Sequence, residues 1–586
     1  MSAPETLVSR FFANADRLGP RPFTRFHAGG AWVPVGWRGA ARLVRDLASG
    51  LVALGHRKGD TLGVLAATRW EWALADLANL CAGGVTVGVY PTLTAEQSAY
   101  VIAHADTRFL VVENAKQLAK VEAVRQELPR LETLVLIDPT GVAPARDRMS
   151  LADLLARGRA ARQDVDARAA QIRLEDPAIL IYTSGTTGPP KGAVLSHGNL
   201  VAAMHAFDAL PIDDADVGFS FLPLAHALQR AVNFRGLWTG TPGSFARSLD
   251  TIADDLKTCR PSLVAAVPRI FEKVYARINA QAAAGSPAKQ KIFHWALGVG
   301  QAVSHLRQAH EPVPPRLELE HRLARVLVFD KLRAGLGGRI RLFITGGAPI
   351  AKEILEFFDA ADISILEGWG MTETFSAGTA NLPGATRFGS IGRPLAGIDL
   401  RLDGDGEILV RGQNVFSGYY KDEAATREAF TADGYFRTGD IGKVDADGYY
   451  YIVDRKKDLI ITAAGKNVAP QNIENLIKTD PRISQVMVVG DRKNYLVALI
   501  SVAPEARAGG AEAELAQIVQ AIVDKKNEDL ASFERIKKFR LLPEDLSQEA
   551  GELTPTLKVK RKVVSAKYQH LIDEMYAEPR SAQGAA

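Results

Sequence analysis

Cysteine, long apolar runs and charge of one sign are what the chain lacks. It has two cysteines in 586 residues, Cys81 and Cys259. They stand too far apart for zinc-type spacing and are too few for a disulfide framework, so a reducing compartment is expected. No run of 18 or more apolar residues occurs, which leaves no candidate for a membrane-crossing helix. The opening MSAPETLVSRFFANADRLGP has no apolar stretch of signal-peptide length. Charges nearly cancel, 71 Lys and Arg against 67 Asp and Glu for a net +4. That excess is too small over this length to make nucleic acid the main partner. A cytoplasmic location is expected, with peripheral contact at the inner face of a membrane left open.

What is present reads as a soluble α/β protein. Apolar residues make up 47% and charged residues 24%, ordinary soluble usage, and the length exceeds what one core organises. Strand-like runs TLGVLAA, GVTVGVY and RFLVVE alternate with helical stretches WEWALADLANLCAG and TAEQSAYVIAHA, the rhythm of βα units on a largely parallel sheet. From about Gly404 the texture becomes β-rich: GEILVRG precedes GDIGKVDADGYYYIVDR, where Asp-Ala-Asp-Gly joins two strands of a hairpin. After Arg455 another set follows, LIITAAGKNVAP, NIENLIKT, QVMVVGD and LVALISV. The expected organisation is a large N-terminal domain over residues 1–455, a small C-terminal α+β domain over 456–576 and a flexible tail over 577–586. The N-terminal domain would hold α/β subdomains plus the β-rich one.

Six segments carry chemistry. YTSGTTGPPKG, from Tyr182 to Gly192, sets hydroxyls, glycines and one lysine between two apolar runs, which describes a phosphate-binding loop between buried strands. It is no Walker A loop, because Lys191 is followed by Gly192 and not by Ser or Thr. GRIRLFITGGAPI runs from a strand into Gly346, Gly347 and Ala348, small residues that let a flat ligand approach the backbone. In EGWGMTET, Trp369 stands between glycines and precedes Gly370, Thr372 and Glu373. An aromatic so placed can stack on a base and the carboxylate can hold Mg²⁺; the same residues read equally as a core tryptophan and a solvated helix-start acid. FRTGDIG puts Asp440 in a Gly-bounded turn and DRKKD puts Arg455 at a strand end. The pair suits two ribose hydroxyls, or a surface ion pair. GELTPTLKVKRK closes the series with Lys558 and Lys560 in a basic cluster that, by itself, reads as a solvated face.

Taken in order, YTSGTTGPPKG, GWGMTE, TGD, DRKKD and TLK resemble the adenylate-forming superfamily of acyl-CoA synthetases, nonribosomal-peptide adenylation domains and luciferases, over nearly the whole chain. FLPLAHALQR, Phe221 to Arg230, and the helical segment between VPRIFEKVYARI and VFDKLRAGLGG resemble its long-chain acyl-CoA synthetases. The resemblance implies ATP, Mg²⁺ and CoA as cofactors and a long-chain fatty acid as substrate. Alternatives are a ligase handing the acyl group to a carrier protein, a CoA ligase for shorter or aromatic acids, and a non-enzymatic nucleotide sensor. It implies ATP phosphates on Thr183, Ser184, Gly185, Thr186, Thr187, Gly188 and Lys191, and Mg²⁺ on Glu373 and Thr186. It implies adenine between Trp369 and the Gly346–Ala348 strand end, Gly347 and Ala348 included, with Gly370 and Thr372 also in the ATP site, and ribose on Asp440 and Arg455. His226 lies beside the acyl-adenylate and Lys558 serves adenylation. The small domain is mobile about a hinge at Lys457 and presents Gly465, Lys466 and Asn467 to CoA. Arg230 receives no role. Relatives commonly have glycine before the late lysine; here it is Leu557, which keeps Lys560 as the fallback.

Overall fold

A computed structural model of the chain describes residues 5–183, 189–507, 512–554 and 557–577. The apolar runs of the N-terminal half become an eight-stranded sheet. Its central strands Val85–Val89, Thr61–Leu65, Thr107–Val112 and Thr133–Leu136 run parallel. Every residue of TLGVL and VTVGV is buried, as expected where helices cover both faces of a parallel sheet. Helices Trp70–Cys81 and Ala95–His104 occupy the predicted stretches. Thr94 caps the second of these by accepting the Gln97 N–H.

A second, nine-stranded sheet contains Gly218–Ser220, Leu263–Ala266, Leu342–Thr345 and Ile365–Trp369 as parallel neighbours. Helix Ala227–Thr239 is fixed to helix Trp70–Cys81 by a buried ion pair. Arg230 donates from Nε to Asp76 Oδ2 at 2.9 Å and from Nη2 to Oδ1 at 2.5 Å. The FLPLAHALQR arginine is thus a structural tie within the core that also holds Trp72 and Phe234. The segment after Ala266 is helical as expected: Pro268–Ala283, Pro287–Gln308, Pro315–Ala324, a π turn Arg325–Phe329 and Asp330–Gly335.

The β-rich stretch forms a four-stranded antiparallel sheet, Ile398–Leu402, Glu407–Gly412, Phe436–Val444 and Tyr450–Arg455. Beyond it lies a separate core on a three-stranded sheet, Ile483–Val489, Leu496–Val502 and Ile536–Leu541. The first pair is antiparallel and the second parallel, so this end is α+β, as expected. Helices Pro470–Ile477 and Glu512–Asn527 cover one face, and Arg561–Lys567 with Gln569–Tyr576 the other. Among the described residues no helix is long and apolar enough to cross a membrane.

Candidate active site

The phosphate-loop candidate leaves a buried strand, Pro177–Thr183, and returns antiparallel as Lys191–Ser196, with Thr183 opposite Lys191. Its shoulders are pinned: the Tyr100 hydroxyl donates to the Pro190 carbonyl at 3.1 Å, and Tyr182 bonds His104 at 2.8 Å. Ser184, Gly185, Thr186, Thr187 and Gly188 lie outside the described residues. At the loop's far end the Lys191 ammonium sits 5.2 Å from the Tyr419 ring centroid and 4.0 Å from Asp422. The Tyr419 hydroxyl in turn donates to Glu373 Oε1 at 2.9 Å. Tyr419 thereby joins two predicted site residues far apart in sequence. Its only sequence signal was the tandem tyrosine of SGYYKDE.

Glu373 lies in the 3-10 turn Thr372–Thr374 that follows strand Ile365–Trp369. Burial raises its carboxyl above the usual range; Tyr419 and Arg455 oppose the rise and Asp440 adds to it. Gly370 serves the turn itself, because a Cβ there would stand 2.3 Å from the Ser376 carbonyl carbon. The Trp369 ring is largely buried, and its indole N–H donates to Asp440 Oδ2 at 2.8 Å. Arg455 Nε reaches Asp440 Oδ1 at 3.3 Å. Three predicted residues from different segments therefore meet in one cluster.

Asp440 was expected in a turn, and the structure corrects this. It lies inside strand Phe436–Val444, directly opposite Arg455, beside a register shift, with Gly439 at φ +69°. The glycines of TGDIG mark an irregular strand and not a chain reversal.

The GGAPI loop follows strand Leu342–Thr345, with Gly347 at φ +81° next to Ala348. A Cβ on Gly346 would lie 3.0 Å from the Gly368 carbonyl oxygen, so this glycine permits the close approach of the two strand ends. Beneath the loop, buried Glu367 accepts the Ile350 N–H. Burial pushes its carboxyl up to about 8, so it holds a proton at neutral pH. Glu367 was missed because a lone glutamate before Gly-Trp-Gly has no sequence signature of burial.

His226 is the N-cap of helix Ala227–Thr239; its Nδ1 accepts the Leu228 N–H at 3.2 Å. That bond places the ring proton on Nε2. Burial, with Lys558 adding to it, lowers the imidazole to about 4, so the ring is neutral. The preceding loop fits closely over the first sheet, where a Cβ on Gly88 would stand 2.6 Å from Ala225 Cα. Lys558, from the far end of the chain, is brought to the same cleft. Its ammonium is lowered to about 8 by burial first and by Arg455 next, with Asp440 opposing and Lys457 adding.

The residue before this lysine has an unusual backbone. Leu557 adopts φ +63°, the left-handed region that favours glycine and costs a side-chain residue about 1–2 kcal/mol. The turn is held by Leu557 N–H to Thr554 O at 2.8 Å, Thr554 N–H to Lys558 O at 2.8 Å and a bridge between Leu553 and Val559. The Leu557 side chain packs against the core containing Leu553 and Val564, which offsets part of the strain. Lys560 instead begins helix Arg561–Lys567 as its N-cap.

Where the four-stranded sheet ends, Lys456 bridges Asp405 at 2.5 Å and Glu407 at 3.1 Å, immediately before Lys457. The α+β end of the chain seats on the rest through Arg269 to Ser484 at 2.8 Å, Lys478 to Glu272 at 3.6 Å and Asn475 to the Pro349 carbonyl at 3.4 Å. Gly465, Lys466 and Asn467 are not drawn into the cleft. They are exposed at the end of the hairpin formed by strands Ile460–Ile461 and Asn467–Val468, Asn467 opening the second strand, and the turn is closed by Gly465 N–H to Thr462 O at 2.8 Å. Gly465 has φ +72° with open space around it.

An acid–arginine pair on the four-stranded sheet, with a lysine from a separate small core within electrostatic reach of it and of His226, defines the class. The AMP-binding enzyme family model matches residues 11–420, and that of the AMP-binding enzyme C-terminal domain matches residues 457–580; the chain belongs to this family. It is 38% identical over 567 residues to the long-chain-fatty-acid–CoA ligase FadD15 of Mycobacterium tuberculosis, covering 93% of each chain. To the long-chain-fatty-acid–CoA ligase ACSBG2 of Homo sapiens it is 31% identical over 627 residues, covering 98% of this chain and 92% of that one. The anthranilate CoA ligase AuaEII, solved with anthranoyl-AMP, shares the fold at TM-score 0.76 and 21% identity, over 98% of this chain and 99% of that one. ATP-bound MatB from Rhodopseudomonas palustris matches at TM-score 0.70 and 25% identity, over 96% and 99%.

Proposed function

We propose that the chain is an ATP-dependent long-chain fatty-acid–CoA ligase. The fatty-acid carboxylate attacks the α-phosphorus of ATP and pyrophosphate leaves. The CoA sulfur then attacks the acyl carbon, AMP leaves with the bonding pair, and the thiol proton passes to solvent. ATP, CoA and the fatty acid are its small-molecule substrates. The observation that carries this reading is Lys558, placed within electrostatic reach of Asp440, Arg455 and His226 although it belongs to a different core.

In the first step two anions must meet, so the site has to screen their repulsion and stabilise charge in the transition state. Lys558 bridges the carboxylate and the α-phosphate, and Lys191 with Thr183 meets the departing pyrophosphate. Asp440 accepts from the ribose hydroxyls while Arg455 and the Trp369 indole N–H hold its carboxylate in place. Neutral His226 offers Nε2–H to the acyl carboxyl. Glu373 fits a divalent cation: it is a buried carboxylate one of whose oxygens takes the Tyr419 hydroxyl, and Thr186 would be its companion. Mg²⁺ bound there supplies charge neutralisation across the phosphates. We place the domain boundary after Arg455 and the hinge at Lys457; rotation there would exchange Lys558 for the Gly465–Asn467 turn before CoA attacks.

Carboxylate-dependent pyrophosphate release should be highest with straight-chain acids of long length and should lead to a CoA thioester. Preference for aromatic or two-carbon acids would overturn the substrate assignment. Release without thioester would move the chain to carrier-protein ligases.

A further inference from the structure

The helical segment after Ala266 carries surface chemistry unlike the rest of the molecule. Residues 268–340 hold twelve Lys and Arg against five Asp and Glu, a net +7, in a chain whose total is +4. No acidic residue occurs between Glu272 and Glu311. Thirteen large apolar side chains are exposed among the described residues, and six of them fall here: Ile292, Trp295, Leu319, Leu323, Val326 and Leu327. Scattered exposed apolar residues need no explanation, but a concentration of them on one element does.

Leu319, Leu323, Val326 and Leu327 recur at the spacing of one helix face. They run along Pro315–Ala324 into the π turn Arg325–Phe329. The opposite face is already satisfied, because Ala324, Val328 and Phe329 sit in the core with Phe293 and Ala296 of helix Pro287–Gln308. The outer stripe is therefore surplus to folding, with Leu319 at 68% and Val326 at 66% exposure. Cations border it. Arg316 and Arg322 hold only exposed intrahelical pairs with Glu320 and Glu318, which water weakens and a phosphate can displace. Lys289 and Lys291 precede Ile292 and Trp295 on the neighbouring helix, and both lysines are exposed.

We infer that the outer face of Pro287–Gln308, Pro315–Ala324 and the π turn docks on an anionic lipid bilayer, its apolar side chains entering the headgroup–acyl boundary and its cations meeting lipid phosphates. The charge argues for this occupant over a second copy of the chain. A two-fold interface would set this +7 segment against its like, whereas an apolar stripe with basic flanks is what an interfacial helix presents to acidic lipid. The inference stands on exposure and charge and does not depend on the identity of the acyl substrate.

The test is flotation of the full chain with phosphatidylcholine vesicles, with and without phosphatidylglycerol. Binding should require phosphatidylglycerol and fall as salt is raised. The triple variant Leu319→Gln/Leu323→Gln/Val326→Gln should lose roughly tenfold or more of the bound fraction while keeping the thermal midpoint of the parent. Arg316→Glu/Arg322→Glu should weaken anionic binding with the stripe intact. Leu249→Gln, an equally exposed position outside the segment, should bind like the parent. Three results would overturn the proposal: no flotation at low salt, unchanged flotation of the triple variant, or a dimer that the triple variant dissociates without any change on vesicles. Equal capture by polyglutamate in place of vesicles would assign the surface to acidic proteins instead.

Discussion

Lys558 sits where a charge is costly. Burial and Arg455 bring its ammonium down to about 8, so the cation that its proposed role requires is lost as pH rises through that value. The rate of adenylate formation should show an alkaline limb near pH 8, and Lys558→Arg, which stays charged, should remove the limb even where it lowers the rate. Lys558→Ala should slow adenylation by roughly 10² to 10³-fold, taking the range seen for a lost transition-state donor, and should affect thioester formation from supplied acyl-adenylate far less. If Lys560→Ala does this and Lys558→Ala does not, the role passes to Lys560. Glu367 makes a separate prediction about stability. Its folded pKa, about 8, lies above its unfolded value near 4.5, so the folded state keeps a proton that the unfolded chain releases. Stability from this group is full below about pH 4.5 and declines as pH rises towards 8. Glu367→Gln should therefore raise the thermal midpoint more at pH 8 than at pH 5.5; an equal change at both would mean the carboxyl is not held protonated.

At the scale of elements, the Arg230–Asp76 pair decides how helix Ala227–Thr239, and with it His226, is set against the first sheet. Both side chains are essentially without solvent exposure. Removing one partner strands a buried charge, so Asp76→Ala should cost about 3–5 kcal/mol in denaturant unfolding. The double variant Asp76→Leu/Arg230→Met should recover most of that loss, because two apolar side chains need no compensation. A double variant as unstable as the single one would show that packing, and not charge, dominates. The turn holding Gly465 behaves differently. Its φ of +72° means any side chain there strains the backbone, so loss of CoA turnover in Gly465→Ala is informative only beside an unchanged adenylation rate.

At the scale of the whole molecule, the small domain is seated with Lys558 in the cleft and the Gly465–Asn467 turn exposed. Lys478 and Glu272, both part-exposed, meet across that seat. A Cys pair at these positions, bridged by a short bismaleimide, should keep adenylate formation and lose thioester formation, provided the second step requires rotation. The native cysteines, Cys81 and Cys259, are both buried and should not interfere. Unimpaired thioester formation by the bridged protein would show that one domain arrangement serves both steps.

The sequence by itself determined the elements and most of the chemistry. Apolar runs such as TLGVL and VTVGV, alternating with helical stretches, read as strands of a buried parallel sheet, and DADG between two strand-like runs reads as a hairpin turn. Motif order brought Trp369, Asp440, Arg455 and Lys558 onto the page together, because residue type and spacing are local properties. Tertiary structure decided what depends on neighbours from elsewhere in the chain. Asp440 became a strand residue because the strands on either side of it supply partners. Arg230 became a core tie because Asp76 lies opposite it, and Tyr419 joined Lys191 to Glu373 across more than 200 residues of chain. Glu367 took up its proton for want of solvent, and Leu557 took a glycine's conformation because the Thr554–Lys558 turn and an apolar contact hold it there. Burial, charge proximity and backbone strain are set by what packs alongside, and no single segment carries that information.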